Sequence, residues 1–238
     1  MNTVKRFMNK IWRDRRSDRT LGQSLVELSL ILPLILIMLV GMIEVGFLIF
    51  NYLNAVDLTR EAARFASTRD YRNASPGSAT LSDCTDSNLD YYKDTACFFI
   101  DPSLNPNLPL DASRFDDATI SVFTIVSGTV ATVSDRWPKP PIDPNNDGVW
   151  SLYNDNWTRD CQGNVVLTEP SFTDEDVEAM MLSSAPKAKG LVLVEVYICY
   201  DQMIYIPVIS EYIGSPFRIH TYTFMPAPEA IPTPTPIP

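Results

Sequence analysis

Histidine occurs once in the 238 residues, at position 220. A metal site built on two histidines is thereby excluded, and a nucleophilic triad has a single base to draw on. The four cysteines, Cys84, Cys97, Cys161 and Cys199, never fall in C-x-x-C spacing, so neither a zinc site nor a thiol redox site is indicated. Positive charge is also scarce. Nineteen Lys and Arg against 29 Asp and Glu leave a formal net charge of −10, which repels a phosphate backbone and argues against nucleic-acid binding. Residues 44–54 offer no pair of small residues for a signal peptidase. Arg15 and Arg16 are adjacent, but Asp14, Ser17 and Asp18 flank them and no short apolar region follows directly, so they read as inward-side charge. At 45% apolar residues the chain can build one domain and a small additional element.

The charge that is present is unevenly placed. Residues 1–22 carry seven bases and two acids, which leaves 12 bases and 27 acids for everything after them. Between the two regions, residues 28–43 hold no charge, and apolar character resumes after Glu44 through Val45, Phe47, Leu48, Ile49 and Phe50. As a helix, residues 28–50 extend roughly 34 Å, enough for a hydrocarbon core of about 30 Å. A single membrane span is expected, and the basic flank places the N-terminus in the cytoplasm and the acidic body in the exoplasm.

Immediately before the span stand Gly22, Gln23, Ser24, Leu25, Val26 and Glu27. A carboxylate at the lipid edge is costly without a partner. Cleavage after Gly22 supplies one: a new α-amino group on Gln23, one helical turn from Glu27, able to pair with it within a chain or between subunits. The pattern G-x-x-x-x-E before an apolar helix resembles the processing site of type IV prepilins. The longer run resembles the N-terminal signature of the TadE-like family, pseudopilins of the tight-adherence (Flp-type) pilus machinery. It comprises Glu27, Leu28, Leu32, Pro33, Gly41, Ile43, Glu44 and Gly46, then Ala55 and Arg60 to Ala66 (REAARFA). Leu28 departs from the aromatic residue often found after this glutamate. The resemblance implies a non-catalytic, membrane-held pilus-assembly component, with a prepilin-type peptidase, other pilin or pseudopilin subunits and tight-adherence assembly proteins as partners. The other reading is a bitopic surface-binding module whose N-terminal anchor is never cut. Glu44 lies within the outer part of the apolar run with no base within a turn; it either snorkels to the interface or serves assembly in a helix bundle.

Beyond Phe50 the pattern becomes amphipathic. Ala55, Leu58, Ala62, Phe65 and Ala66 share one face, while Asn54, Asp57, Arg60, Glu61, Arg64 and Ser67 share the other. One helix of roughly 70 Å from Gln23 to about Thr68 follows, its small residues packing on a neighbouring helix or on the chain's own sheet. The expected organisation is a basic leader over 1–22, a helix over 23–69, an exoplasmic domain over 70–225 and a Pro-rich tail over 226–238. Loops with short elements occupy the Pro-, Asn- and Asp-rich region up to residue 118. Strands follow at 119–126, 190–200 and 217–225, the middle one with Val192, Val194, Val196, Ile198 and Tyr200 on one face and Glu195 and Cys199 on the other. A proline-containing connector at 205–213 joins the last two. The fold class is α+β, an antiparallel sheet packed on the emerging helix.

All four cysteines follow the span, in an oxidising compartment. Three connectivities are possible, and Cys84 with Cys97 is preferred because both lie in one loop-rich segment, leaving Cys161 with Cys199. Asp143, Asn145 and Asp147, with Gly148 at the sixth position, match the opening of a calcium loop; position twelve is Asn154 rather than a glutamate, and a plain D-P-N-N-D-G turn needs no ion. The acids Asp174, Glu175, Asp176 and Glu178 read as the start of a short helix. His220 shares a strand face with Arg218 and Tyr222 and is expected to face solvent.

Overall fold

The computed structural model describes residues 2–73, 84, 89–127, 131–181, 190–203 and 215–227, with residues 2–22 described by backbone alone. The 205–213 connector and the tail beyond 227 lie outside the described residues. Contacts divide the chain into a unit of residues 1–47 and one of residues 48–238.

Helix α1, Asn2–Ala66, begins within the basic leader and passes through Pro33. It ends two residues before the expected stop, with no glycine or proline at hand. The hydroxyls of Ser67 and Thr68 bond back to the carbonyls of Arg64 (2.7 Å) and Phe65 (2.8 Å), competing for the acceptors that another turn would need. The backbone tightens there as well, Thr68 N bonding to Phe65 O and Arg69 N to Ala66 O.

The second unit is built on one antiparallel sheet. Strands β1 (Asp117–Ser127), β2 (Ala131–Trp137), β4 (Gly190–Tyr200) and β5 (Phe217–Ala227) lie in the order β2-β1-β4-β5. The short β3 (Trp150–Ser151) pairs with β1 at Thr119 and Ile120, below the stretch that β2 occupies. Helix plus antiparallel sheet is the expected α+β arrangement, and β1, β4 and β5 cover the three expected strands. Three elements are additional, the short β3 among them. Helix α2, Tyr91–Ile100, stands where only loops with short elements were expected; Asp90 caps it by accepting from Lys93 N, and Tyr91, Tyr92, Ala96 and Phe99 give it a buried side. Strand β2 is the third, a β-rich run whose pairing with β1 includes a bulge at Thr124 and Ile125.

The sheet is covered on both faces. One face carries the main core, where Ala55, Leu58, Ala62, Ala63 and Ala66 of α1 meet Val192, Val194, Val196 and Ile198 of β4, together with Tyr91, Tyr92 and Phe99 of α2. The four alanines and Thr59 are fully buried, so the small face of α1 packs on the chain's own sheet. Across this seam Thr59 Oγ1 lies 3.1 Å from Thr221 Oγ1 of β5. Phe65 is half-buried and meets the Phe98 ring at 5.0 Å. On the other face, helix α3 (Asp174–Met180) sets Val177 against Phe123 and Leu193. The acidic run does start this helix: Thr173 and Asp176 form a reciprocal capping box.

Candidate functional site

The residues singled out at the membrane edge all lie on α1. The Gly22–Gln23 peptide bond sits in helical backbone. Four residues on, the Glu27 carboxylate bends toward the N-terminal end of the helix and accepts a bond from Gln23 Nε2 at 3.1 Å. Glu27 therefore reaches the level of residue 23, where cleavage would leave an ammonium group.

From Leu25 to Leu53 most of the large apolar side chains are exposed, Leu30 by 73% and Met42 by 76%. This is the one helix among the described residues that is long and apolar enough to cross a membrane, and none of its most apolar stretch is buried. Gly41 and Gly46 face open space, since a Cβ built on either meets no atom within 4 Å. Their small size is not required by the packing of this chain. Glu44 lies between them, half-buried.

In the second unit, both preferred disulfides are formed: Cys84–Cys97 ties α2 to the segment before it, and Cys161–Cys199 ties the 160s loop to β4. The 143–148 loop draws together Asp143, Asn145 and Asp147, but protein groups occupy their side chains. Asp143 is buried; Oδ1 accepts from the amides of Asn145 (2.9 Å) and Asn146 (2.8 Å), and Oδ2 from Gly148 N (2.7 Å). Asn145 Nδ2 donates to Asp155 Oδ2, and Asp147 Oδ1 accepts from Val149 N. Burial raises the pKa of Asp147, and the nearby Asp143 and Asp155 charges raise it further. The turn is complete through amide bonds alone. Among the described residues, no group of three or more His, Cys, Asp or Glu is disposed to hold a metal.

The expectation for His220 is corrected. Its ring stacks on Tyr197 at 4.4 Å and 4°, and Nε2 lies 2.9 Å from Oε1 of Glu195, which is 2% exposed. The cause is register. Tyr197 pairs with His220 across β4 and β5, on a face that the 149–172 region covers. Tyr197 donates to Glu195 at 2.9 Å, and its hydroxyl meets Ser171 Oγ at 2.6 Å. Ser171 thus bonds to the phenol rather than to the imidazole, so the group forms no activated serine. The one available sequence signal was Glu195 itself, the sole charge in an eleven-residue apolar strand. Asp117 gave no such signal. It is buried and accepts from Ser151 Oγ, Trp157 N, Tyr153 N and Ala118 N, joining β1 to the 151–157 turn; burial pushes it up to about 6 against those bonds.

An exposed apolar helix behind a glycine and a glutamate, carrying a small-residue seam into a sheet domain, can be compared with known proteins. Residues 22–64 match the TadE-like protein family. The TadE-like segment runs from the candidate cleavage site to the alanine seam and takes in Glu27, Gly41, Glu44, Gly46 and Ala55. No curated protein and no solved structure matches the chain. The domain behind the TadE-like segment is therefore read from its own residues.

Proposed function

We propose that this chain is a TadE-like minor pilin or pseudopilin, a non-catalytic membrane component of a tight-adherence pilus system. One observation carries the reading: Gly22 and Glu27 lead into a helix whose apolar surface is exposed over its first part and whose alanine seam then becomes the spine of a sheet domain. A helix of that kind needs lipid or neighbouring subunits around its first part. In the proposed scheme the N-terminus is cytoplasmic, a prepilin-type peptidase cuts after Gly22, and the sheet domain is exoplasmic. The freed ammonium group of Gln23 then pairs with Glu27 within the chain or on an adjoining pilin subunit. Gly41 and Gly46 leave room for a second helix to approach closely, with Glu44 beside them. The test is a pair of variants in the native host. Gly22→Arg leaves a full-length precursor, whereas Glu27→Ala is cut normally yet fails to assemble. Cleavage of the Gly22 variant at the same bond, or normal piliation by the Glu27 variant, overturns the scheme.

A further inference from the structure

A cut after Gly22 makes a glutamine the first residue of the mature chain, and that residue type is chemically unstable at a chain start. The unprotonated α-amine of an N-terminal glutamine attacks the Cδ carbon of its own side chain. An N–Cδ bond forms, the Cδ–Nε2 bond breaks, and ammonia leaves with the proton that the amine gives up. The product is a lactam without charge. A chain so modified keeps its length but loses the ammonium group that pairs with Glu27 in the proposed scheme.

Two conditions of that reaction depend on the side chain one turn on. The first is where Cδ lies. The Gln23 carboxamide is drawn along the helix, Nε2 donating to Glu27 Oε1 at 3.1 Å. Ring closure needs the opposite arrangement, the side chain folded back on its own nitrogen, so the bond to Glu27 has to open first. The second condition is the protonation of the amine. A neighbouring carboxylate favours the ammonium form, which has no lone pair to attack with. Within its own chain Glu27 has no substitute: from Gln23 to Ile43 it is the single charged side chain, and the Ser29 hydroxyl is engaged with Val26 O at 2.8 Å. Loss of the leader also makes residue 23 the start of the helix, whose positive end holds a carboxylate at that level.

We propose that Glu27 guards the new chain start against cyclisation, one carboxylate oxygen holding the Gln23 carboxamide and the other its ammonium group. Gln23 is thereby a latent modification site, and Glu27 is the positioning residue that keeps it closed. The inference rests on cleavage after Gly22 and deepens that reading, since it accounts for a glutamine start that keeps its free amine.

The experiment extracts the protein from its host in detergent, incubates it at neutral pH and follows the intact mass, in which cyclisation reads as the loss of one ammonia. Glu27→Ala cyclises about threefold faster than the wild type, the size that two exposed contacts support. Glu27→Gln keeps an acceptor for the carboxamide but no charge for the ammonium, and its rate falls between the two. Gln23→Ala, cut at the same bond, loses no ammonia. Equal rates in the wild type and Glu27→Ala overturn the guard while leaving the cleavage reading intact, and Glu27→Gln as fast as Glu27→Ala overturns the hold on the carboxamide. Ammonia loss that persists in Gln23→Ala places the chemistry elsewhere and overturns the site. A wild type that still carries residues 1–22 overturns the cleavage reading, and the guard with it.

Discussion

If α1 is the spine of the sheet domain, the two threonines at the helix–sheet seam should show an asymmetric response to mutation. Thr59 donates its hydroxyl hydrogen to Ala55 O at 2.5 Å, so the 3.1 Å contact with Thr221 has Thr221 donating to Thr59 Oγ1. Both side chains are buried, Thr59 at 0% and Thr221 at 4% exposure. Thr59→Val keeps the shape but strands the Thr221 hydroxyl away from water, a loss of about 1–3 kcal/mol. Thr221→Val leaves Thr59 still bonded to Ala55 O, so it costs under about 1 kcal/mol. The double valine variant removes both polar groups and lies near the Thr221 single variant, below the sum of the two changes. Urea unfolding of the full chain in nanodiscs, followed by tryptophan fluorescence, measures all four proteins. Equal losses for the two single variants with strict additivity would refute this reading of the seam.

Three further outcomes follow from the sheet domain. Gly148→Ala is expected to lose about 1–3 kcal/mol, because Gly148 has φ +71 and an added Cβ would lie 2.3 Å from Arg136 Cγ; a urea midpoint equal to the wild type would contradict it. Asp117 titrates higher in the folded than in the unfolded chain, near 6 against 3.8, so the folded form binds the proton more tightly and stability from this group falls as pH rises through that window. The stability advantage of the wild type over Asp117→Asn should narrow by up to about 3 kcal/mol between pH 4 and 7; a gap that widens would reverse the sign. The amide bonds to Asp143 already close the 143–148 turn, so chelator should leave Tm unchanged, whereas a rise of several degrees in millimolar calcium would show that the loop takes the ion.

Much of this architecture was legible because it follows from simple periodicities. The uncharged run of residues 28–43 and the alternation of β4 identify a span and a buried strand, and the spacing of Ala55, Leu58, Ala62 and Ala66 identifies the helix face that packs. Helix α2 was obscured by its neighbourhood. Its buried Tyr91, Tyr92 and Phe99 sit among Asp, Asn and Pro, and tertiary packing rather than local composition selects the helix. His220 was misread because alternation tells which residues share a face but not whether a loop covers that face. Only the β4–β5 register and the segment around Ser171 bring Tyr197, Glu195 and His220 together. The role of Asp117 was hidden for the same reason, since its four donors come mostly from residues more than thirty positions away. For Gly22 and Glu27 the structure adds the direction in which the Glu27 side chain bends, toward Gln23.

The most direct measurement is the intact mass of the protein extracted from the membranes of its native host. A chain that begins at Gln23, without the 22-residue basic leader, is the predicted result. A chain that still carries residues 1–22 would contradict pilin-type processing and leave an uncut, membrane-tethered sheet domain.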